Sequence, residues 1–227
     1  MSTATLDPAP THDDGPSHGE HAHDAHAHDD HGDHGDGHDA HATATGVSNE
    51  KLGMWVFLGS ECLLFGALIS TYLVYKGRSV SGPTPKDIYD IPFTSVSSFV
   101  LLMSSLTMVL ALSACRRGDG PRSRIWLAVT ALLGATFIGG QVYEFTSFIR
   151  KGLTLKTNLF GSSFFVLTGF HGVHVTLGIL MLIALATLSW RGKIGKHNAE
   201  VVEIVGLYWH FVDVVWIVIF TVVYLIK

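Results

Sequence analysis

Five stretches of this chain are each long and apolar enough to cross a lipid bilayer, and this fixes the fold class before any other feature is considered. They run from Leu52 to Tyr75, Thr94 to Ala114, Ile125 to Ile149, Leu159 to Trp190 and Val202 to Ile226. A hydrocarbon layer about 30 Å thick needs about 20 apolar helical residues. In lipid, every backbone polar group must be paired within its own segment, so each stretch is expected to be helical. The fourth has no internal turn signal and is expected to form one long span that tilts or projects beyond the bilayer. The connections SVSGPTPKD, RRGDGPRSR, RKGLTLKTN and RGKIGKHN carry turn chemistry and are too short for a separate domain. The expected fold is therefore an all-α integral membrane protein, a bundle of five transmembrane helices whose sequence neighbours pack antiparallel over residues 50–227.

Residues 1–49 differ in kind. They hold ten of the 14 histidines and ten of the 19 acidic residues, but no Lys or Arg. THDDGPSHGEHAHDAHAHDDHGDHGDGHDAHATATG has no helical or strand period, and the segment is expected to be a disordered, solvated tail. It has neither a basic nor an apolar region of the kind a signal peptide carries. His21, His23, His26 and His28 are its candidate metal ligands, since sequential imidazoles can bind a divalent cation weakly; the plainer reading is solvation alone.

Composition excludes several classes. The basic residues form short clusters between apolar runs and no stripe along a polar face, which argues against nucleic-acid binding. Cys62 and Cys115 lie in or beside apolar runs and imply no disulfide framework. No phosphate loop, nucleophile elbow or zinc motif is present. With the N-terminus inside, the inner loops carry eight Lys and Arg and the outer ones seven. The dense cluster from Arg116 to Arg124 favours a cytoplasmic N-terminus and an external C-terminus.

Polar residues inside the runs are the informative ones, because ionisable groups in a membrane normally face protein or water. Glu61 lies about 14 Å along the first helix from Leu52, near mid-membrane. It is expected to share a proton with a neighbouring helix or a lipid head group. The third run carries Gln141 and Glu144, the fourth His171 and His174, the fifth Glu203, His210 and Asp213. Spacings of three and seven place each set on one helix face, giving a bundle with a polar interior. The three histidines with a carboxylate could supply metal or haem ligands, but hydrogen bonding across close helix contacts is the simpler reading. Gly53, Gly59 and Gly66 on the first run, and Gly169, Gly172 and Gly178 on the fourth, are read as close-packing sites. The tryptophans are read as interfacial anchors or packing residues.

The stretches KLGMWVFLGSECLLFG, SGPTPKDIYDIPF, GQVYEF, GSSFFVLTGFHGVHVTLG and YWHFVDVVWIVIFTVVYL resemble the corresponding parts of subunit III of haem-copper terminal oxidases. The resemblance covers nearly all of residues 51–227. The chain is similar to the shorter bacterial form, which lacks the first two of seven helices and occurs in caa3-type cytochrome c oxidases and cytochrome o quinol oxidases. It implies an accessory subunit in a bacterial plasma membrane, with no haem or copper of its own. Those cofactors would belong to subunits I and II, which reduce dioxygen to water and move protons outward. This chain would pack against subunit I, hold structural phospholipids and support proton uptake. Glu61, Gln141, Glu144, His171, His174, Glu203, His210 and Asp213 match the family's buried polar positions. The lipid cleft of longer members takes one wall from the missing helices. A relative associated with nitric oxide reduction is a variant of this reading. An independent metal transporter, with the tail collecting metal and the membrane Glu and His passing it, is the alternative of another class.

Overall fold

The computed structural model describes residues 48–76, 91–150, 159–194 and 198–225. The four tail histidines His21, His23, His26 and His28 lie outside the described residues. Five helices are long and apolar enough to cross a membrane: α1 (Asn49–Lys76), α2 (Ile91–Arg116), α3 (Gly120–Arg150), α4 (Leu159–Trp190) and α5 (Ala199–Phe220), the last continuing into a π-helical turn at Thr221–Leu225. The chain is a multi-pass membrane protein. Its fourth span is one uninterrupted helix of 32 residues, about 48 Å at 1.5 Å per residue, well beyond the hydrocarbon thickness.

Several helices run past their apolar cores. The stretch RRGDGPRSR was expected to be a loop; instead Arg116 closes α2, Gly120 opens α3, and Arg117 to Asp119 are all that join them. The reason is local chemistry. Gly118 takes a left-handed φ of 79°, which lets the Asp119 N–H reach back to the Ala114 carbonyl (3.0 Å) in the pattern that satisfies a helix's last carbonyls. Asp119 then starts the next helix, its Oδ1 accepting from the Arg122 N–H at 3.2 Å. The same C-terminal solution recurs at α4, where Gly192 has φ 71° and the Lys193 N–H bonds the Leu188 carbonyl at 3.0 Å.

Helices α2 to α5 form a closed ring in which α2 packs on α3, α3 on α4, α4 on α5 and α5 back on α2, while α1 rests outside against α4 and α5. The peripheral place of α1 shows in its burial: 11% of its spanning window is buried within the chain, against 44% for α5. Its outer face presents Val56 and Leu63, each more than two-thirds exposed.

At the centre of the ring sits Trp209 of α5, 1% exposed. A Cβ on Gly134 of α3 would come within 2.6 Å of the Trp209 ring, and one on Gly178 of α4 within 2.8 Å. These two glycines let three helices close on one indole. The expectation for Gly178 thus holds, and Gly172 packs closely too, its Cβ position lying 3.3 Å from Gln141 Oε1. It does not hold for Gly53, Gly59, Gly66 and Gly169, around which nothing lies within 4 Å of a Cβ. On α1 the reason is that these glycines sit on the peripheral helix and face away from the ring. Gly178→Ala and Gly134→Ala should each destabilise the detergent-solubilised protein by about 1 to 3 kcal/mol through overpacking, whereas Gly59→Ala should shift stability by less than about 0.5 kcal/mol. Thermal unfolding of the three variants checks this, and equal midpoints would contradict the clamp.

Candidate functional site

The polar residues of the spans do not gather into one seam; they form separate clusters, each tying a different pair of helices. The first joins α1 to α4. Glu61 Oε2 lies 3.2 Å from His174 Nε2, with side chains 15% and 12% exposed. The other ring nitrogen, Nδ1, is 2.8 Å from the Phe170 carbonyl oxygen one turn back. A carbonyl can only accept, so Nδ1 carries a hydrogen. The contact between Nε2 and the carboxyl then requires one proton shared between them. In either arrangement, acid with neutral ring or carboxylate with charged ring, the pair is neutral overall. The Tyr208 hydroxyl donates to the His174 backbone carbonyl at 3.1 Å, adding α5 to the cluster.

His171, one turn before His174, faces another way. A step of three residues rotates about 300°, or 60° short of a full turn, enough to aim it into the ring. It is fully buried, stacked on Trp216 with ring centroids 4.9 Å apart and flanked edge-on by Phe137 and Phe65. Neither of its ring nitrogens has a hydrogen-bond partner among the described residues. It serves here as a flat packing group, unlike the interhelical hydrogen bonding expected of it.

The second cluster joins α2 to α5. Ser105 donates to Asp213 and lies 3.1 Å from His210 Nδ1, so the two residues three apart on α5 meet on one hydroxyl. The third joins α2 to α3, where Thr94 donates to the buried Glu144. Gln141, also on α3, instead donates to the Thr168 carbonyl of α4 at 3.2 Å. Glu203 belongs to none of these. Seven residues before His210, it lies two turns nearer the end of the bundle, paired with Arg116 at 2.7 Å and Lys51 at 3.2 Å. Glu200 joins that end network through Lys51 at 3.8 Å and by accepting from Ser48. The face shared with His210 therefore does not place Glu203 in the membrane interior, as was expected. Among the described residues, no group of three or more His, Cys, Asp or Glu side chains is placed to hold a metal ion.

The row of hydroxyls on α2 escaped sequence reasoning. Ser98 accepts from the Trp216 indole N–H at 2.8 Å, Ser104 from the Trp209 indole N–H at 3.0 Å, and Thr107 pairs with Thr130 of α3 at 2.8 Å. The signal is present as TSVSS and SSLT in the second run. Recurrence at three- and four-residue steps puts Thr94, Ser98, Ser104 or Ser105, and Thr107 toward the ring interior.

A family model described as cytochrome c oxidase subunit III matches residues 33–227, which include all five helices. The chain belongs to the cytochrome c oxidase subunit III family. It is 40% identical to the cytochrome c oxidase subunit 3 of Bacillus sp. (strain PS3), over 81% of this chain and 88% of that protein. It is 41% identical to the quinol oxidase subunit 3 of Bacillus subtilis (strain 168), over 77% of this chain and 85% of the relative. The cytochrome bo(3) ubiquinol oxidase subunit 3 of Pseudomonas aeruginosa is 40% identical, over 78% and 85%. As a subunit III family member, the chain is one component of a multisubunit oxidase. The clusters above are thus contacts within a subunit, whatever further role each has.

The Glu61 and His174 geometry has a direct consequence. In Glu61→Gln the new amide can donate to His174 Nε2 and keep the interhelical bond, so stability should stay near the parent value. In Glu61→Ala that nitrogen loses its partner, and the protein should lose about 1 kcal/mol. Thermal midpoints in detergent test this; Ala and Gln variants of equal stability would contradict the assignment.

Proposed function

We propose that this chain is the accessory, non-redox subunit III of a proton-translocating respiratory terminal oxidase in a bacterial plasma membrane, with haem and copper carried by subunits I and II. The observation that carries this reading is similarity at about two residues in five to proteins named subunit 3 of oxidases, across most of both partners' lengths. In this reading the chain packs against subunit I, retains phospholipid and supports proton uptake. The N-terminus is cytoplasmic and the C-terminus external, which puts the arginines from Arg116 to Arg124 on the cytoplasmic side.

The chemistry available to the chain itself is proton holding and helix fixation. Glu61 and His174 keep one proton in a neutral pair between α1 and α4. The pair can change which atom carries that proton without changing its net charge, so it imposes little electrostatic cost in a low-dielectric layer. Asp213 and Glu144 are each held by a hydroxyl of α2, which keeps those carboxyls in fixed positions.

We take the electron donor to be cytochrome c, as in the relative from Bacillus sp. (strain PS3). The second reading, a quinol oxidase, is favoured by the relatives of that name at 41% identity. A tagged full-length chain purified from its own membranes in mild detergent should bring down two partner subunits and show a reduced-minus-oxidised haem spectrum. Oxygen uptake by that preparation should respond to reduced cytochrome c and not to quinol. Uptake driven by quinol alone would move the assignment to the quinol class. Recovery of the chain without haem-bearing partners would overturn the accessory reading altogether.

A further inference from the structure

The contact that holds the peripheral helix α1 to α4 is complete only when it contains one proton more than a neutral imidazole carries. Glu61 Oε2 lies 3.2 Å from His174 Nε2, and Nδ1 of the same ring lies 2.8 Å from the Phe170 carbonyl oxygen. Both ring nitrogens therefore face an oxygen. A neutral imidazole has one N–H, which serves one of these oxygens and leaves a lone pair toward the other. The second hydrogen must come from a further proton, on the ring or on the carboxyl. Without it, the docked arrangement keeps one hydrogen bond in place of two, whichever nitrogen holds the remaining hydrogen. A net negative charge is also left in the hydrocarbon layer, where an ionised carboxylate is costly.

The neighbouring groups do not make up for that proton. Among the described residues, His174 is the only ion-pair partner of Glu61. On α5, the Tyr208 hydroxyl is taken by the His174 backbone carbonyl at 3.1 Å. On α4, His171 is stacked on Trp216 inside the ring, and on α1 Cys62 is exposed. Phe65 covers the His174 ring edge-on at 5.1 Å. The other acids and the third histidine of the spans, Asp213, Glu144 and His210, are held by hydroxyls of α2. Lys51 and Lys76 stand at the two ends of α1, 10 and 15 residues from Glu61 and so about 15 and 22 Å of rise away. Packing beyond the pair is sparse as well. Nothing lies within 4 Å of a Cβ on Gly59 or Gly66. A hollow of about 200 Å³ opens between Leu68, Thr71 and Tyr75 of α1 and Ser162, Ser163 and Val166 of α4. The paired side chains are themselves 15% and 12% exposed, so the proton has a way in and out.

We infer that the docking of α1 on α4 is proton-linked: the Glu61 and His174 pair holds one proton while the two helices are together, and α1 loosens from α4 when that proton leaves. The proton is bound more tightly with the helices docked than with them apart. Docking is therefore strongest at a pH below the point at which the docked pair releases its proton, and it weakens as pH rises through that point. An additional proton does not open the contact, because an imidazolium donates from both nitrogens, to the Phe170 carbonyl and to the neutral acid. The latch thus answers to alkalinity and not to acidity. It requires neither the accessory role nor a particular electron donor.

The test reads the gap between the two helices with nitroxide labels at Thr71→Cys and Val166→Cys, which line the same hollow, in a background of Cys62→Ala and Cys115→Ala. The full-length chain is purified with its partner subunits into phosphatidylcholine nanodiscs. Distances between the labels are measured by electron spin resonance from about pH 5 to about pH 10, a range that extends above the ordinary values for Glu and His. With Glu61 in place, the ratio of docked to separated populations should fall about five-fold toward the alkaline end, the worth of one interhelical hydrogen bond. Glu61→Gln gives Nε2 a hydrogen that does not titrate, and it should hold the docked distance throughout. Glu61→Ala should show the separated population at every pH. Lys51 and Lys76 are the same in all three proteins, so their own titration drops out of the comparison. A parent distribution that does not change with pH, a Gln variant that separates as the parent does, opening at the acid end, or an Ala variant docked as closely as the parent would each overturn the latch.

Discussion

A polar side chain inside a membrane has no water to fall back on, so its partner must come from the protein, and the arrangement of these helices follows from that. The partners are supplied above all by α2. Its Ser98, Ser104 and Ser105 receive or donate hydrogen bonds along α5, to Trp216, Trp209, Asp213 and His210. Its Thr94 and Thr107 do the same along α3, to Glu144 and Thr130. Lipid is as apolar as leucine, so helix association in a bilayer draws on such bonds and on close packing. The closed ring of α2 to α5 has both, with Gly134 and Gly178 fitted against Trp209.

The peripheral helix follows a different logic. Among the described residues, α1 makes polar contacts with the ring at three levels along its length. They are Lys51 on Glu203 at one end, Glu61 on His174 near the middle, and Lys76 donating to the Val222 carbonyl (3.2 Å) in the π-helical turn at the other. Two of these face α5 in parallel register and one faces α4, so α1 is fixed in rotation and height by a few bonds rather than by a broad interface. The rest of its surface is apolar and open, which suits a helix that meets lipid or a neighbouring subunit.

Much of this was legible in the sequence because hydropathy and length alone mark a spanning helix: all five spans and the continuity of α4 follow from them. The partners were harder to read. Serine and threonine in membrane helices commonly bond their own preceding turn, as Ser60 does to Phe57 and Thr136 to Leu132, so residue type alone did not separate the recurring row on α2 from hydroxyls that bond only their own helix. Likewise Gly59 and Gly178 look alike in sequence, and only the neighbouring helix separates an open glycine from one pressed on an indole. Helical spacing grouped His171 with His174, and Glu203 with His210, as near neighbours on their helices. A 60° offset and two turns of rise were enough to give the members of each set different neighbours. The turn after Arg116 went the other way: Gly and Asp there read as loop, yet both act as helix caps and shorten the connection to three residues.

The central claim is that hydroxyls of α2 hold the ring by bonding across it. The direct measurement compares Ser98→Ala, Ser104→Ala and Ser105→Ala with Ser60→Ala and Thr136→Ala, whose hydroxyls bond only their own helix. Unfolding midpoints are read in one detergent for all five variants. The ring account predicts a loss of about 0.5 to 2 kcal/mol for each of the first three, and a change within about 0.5 kcal/mol for the two controls. Five variants indistinguishable from one another would contradict it.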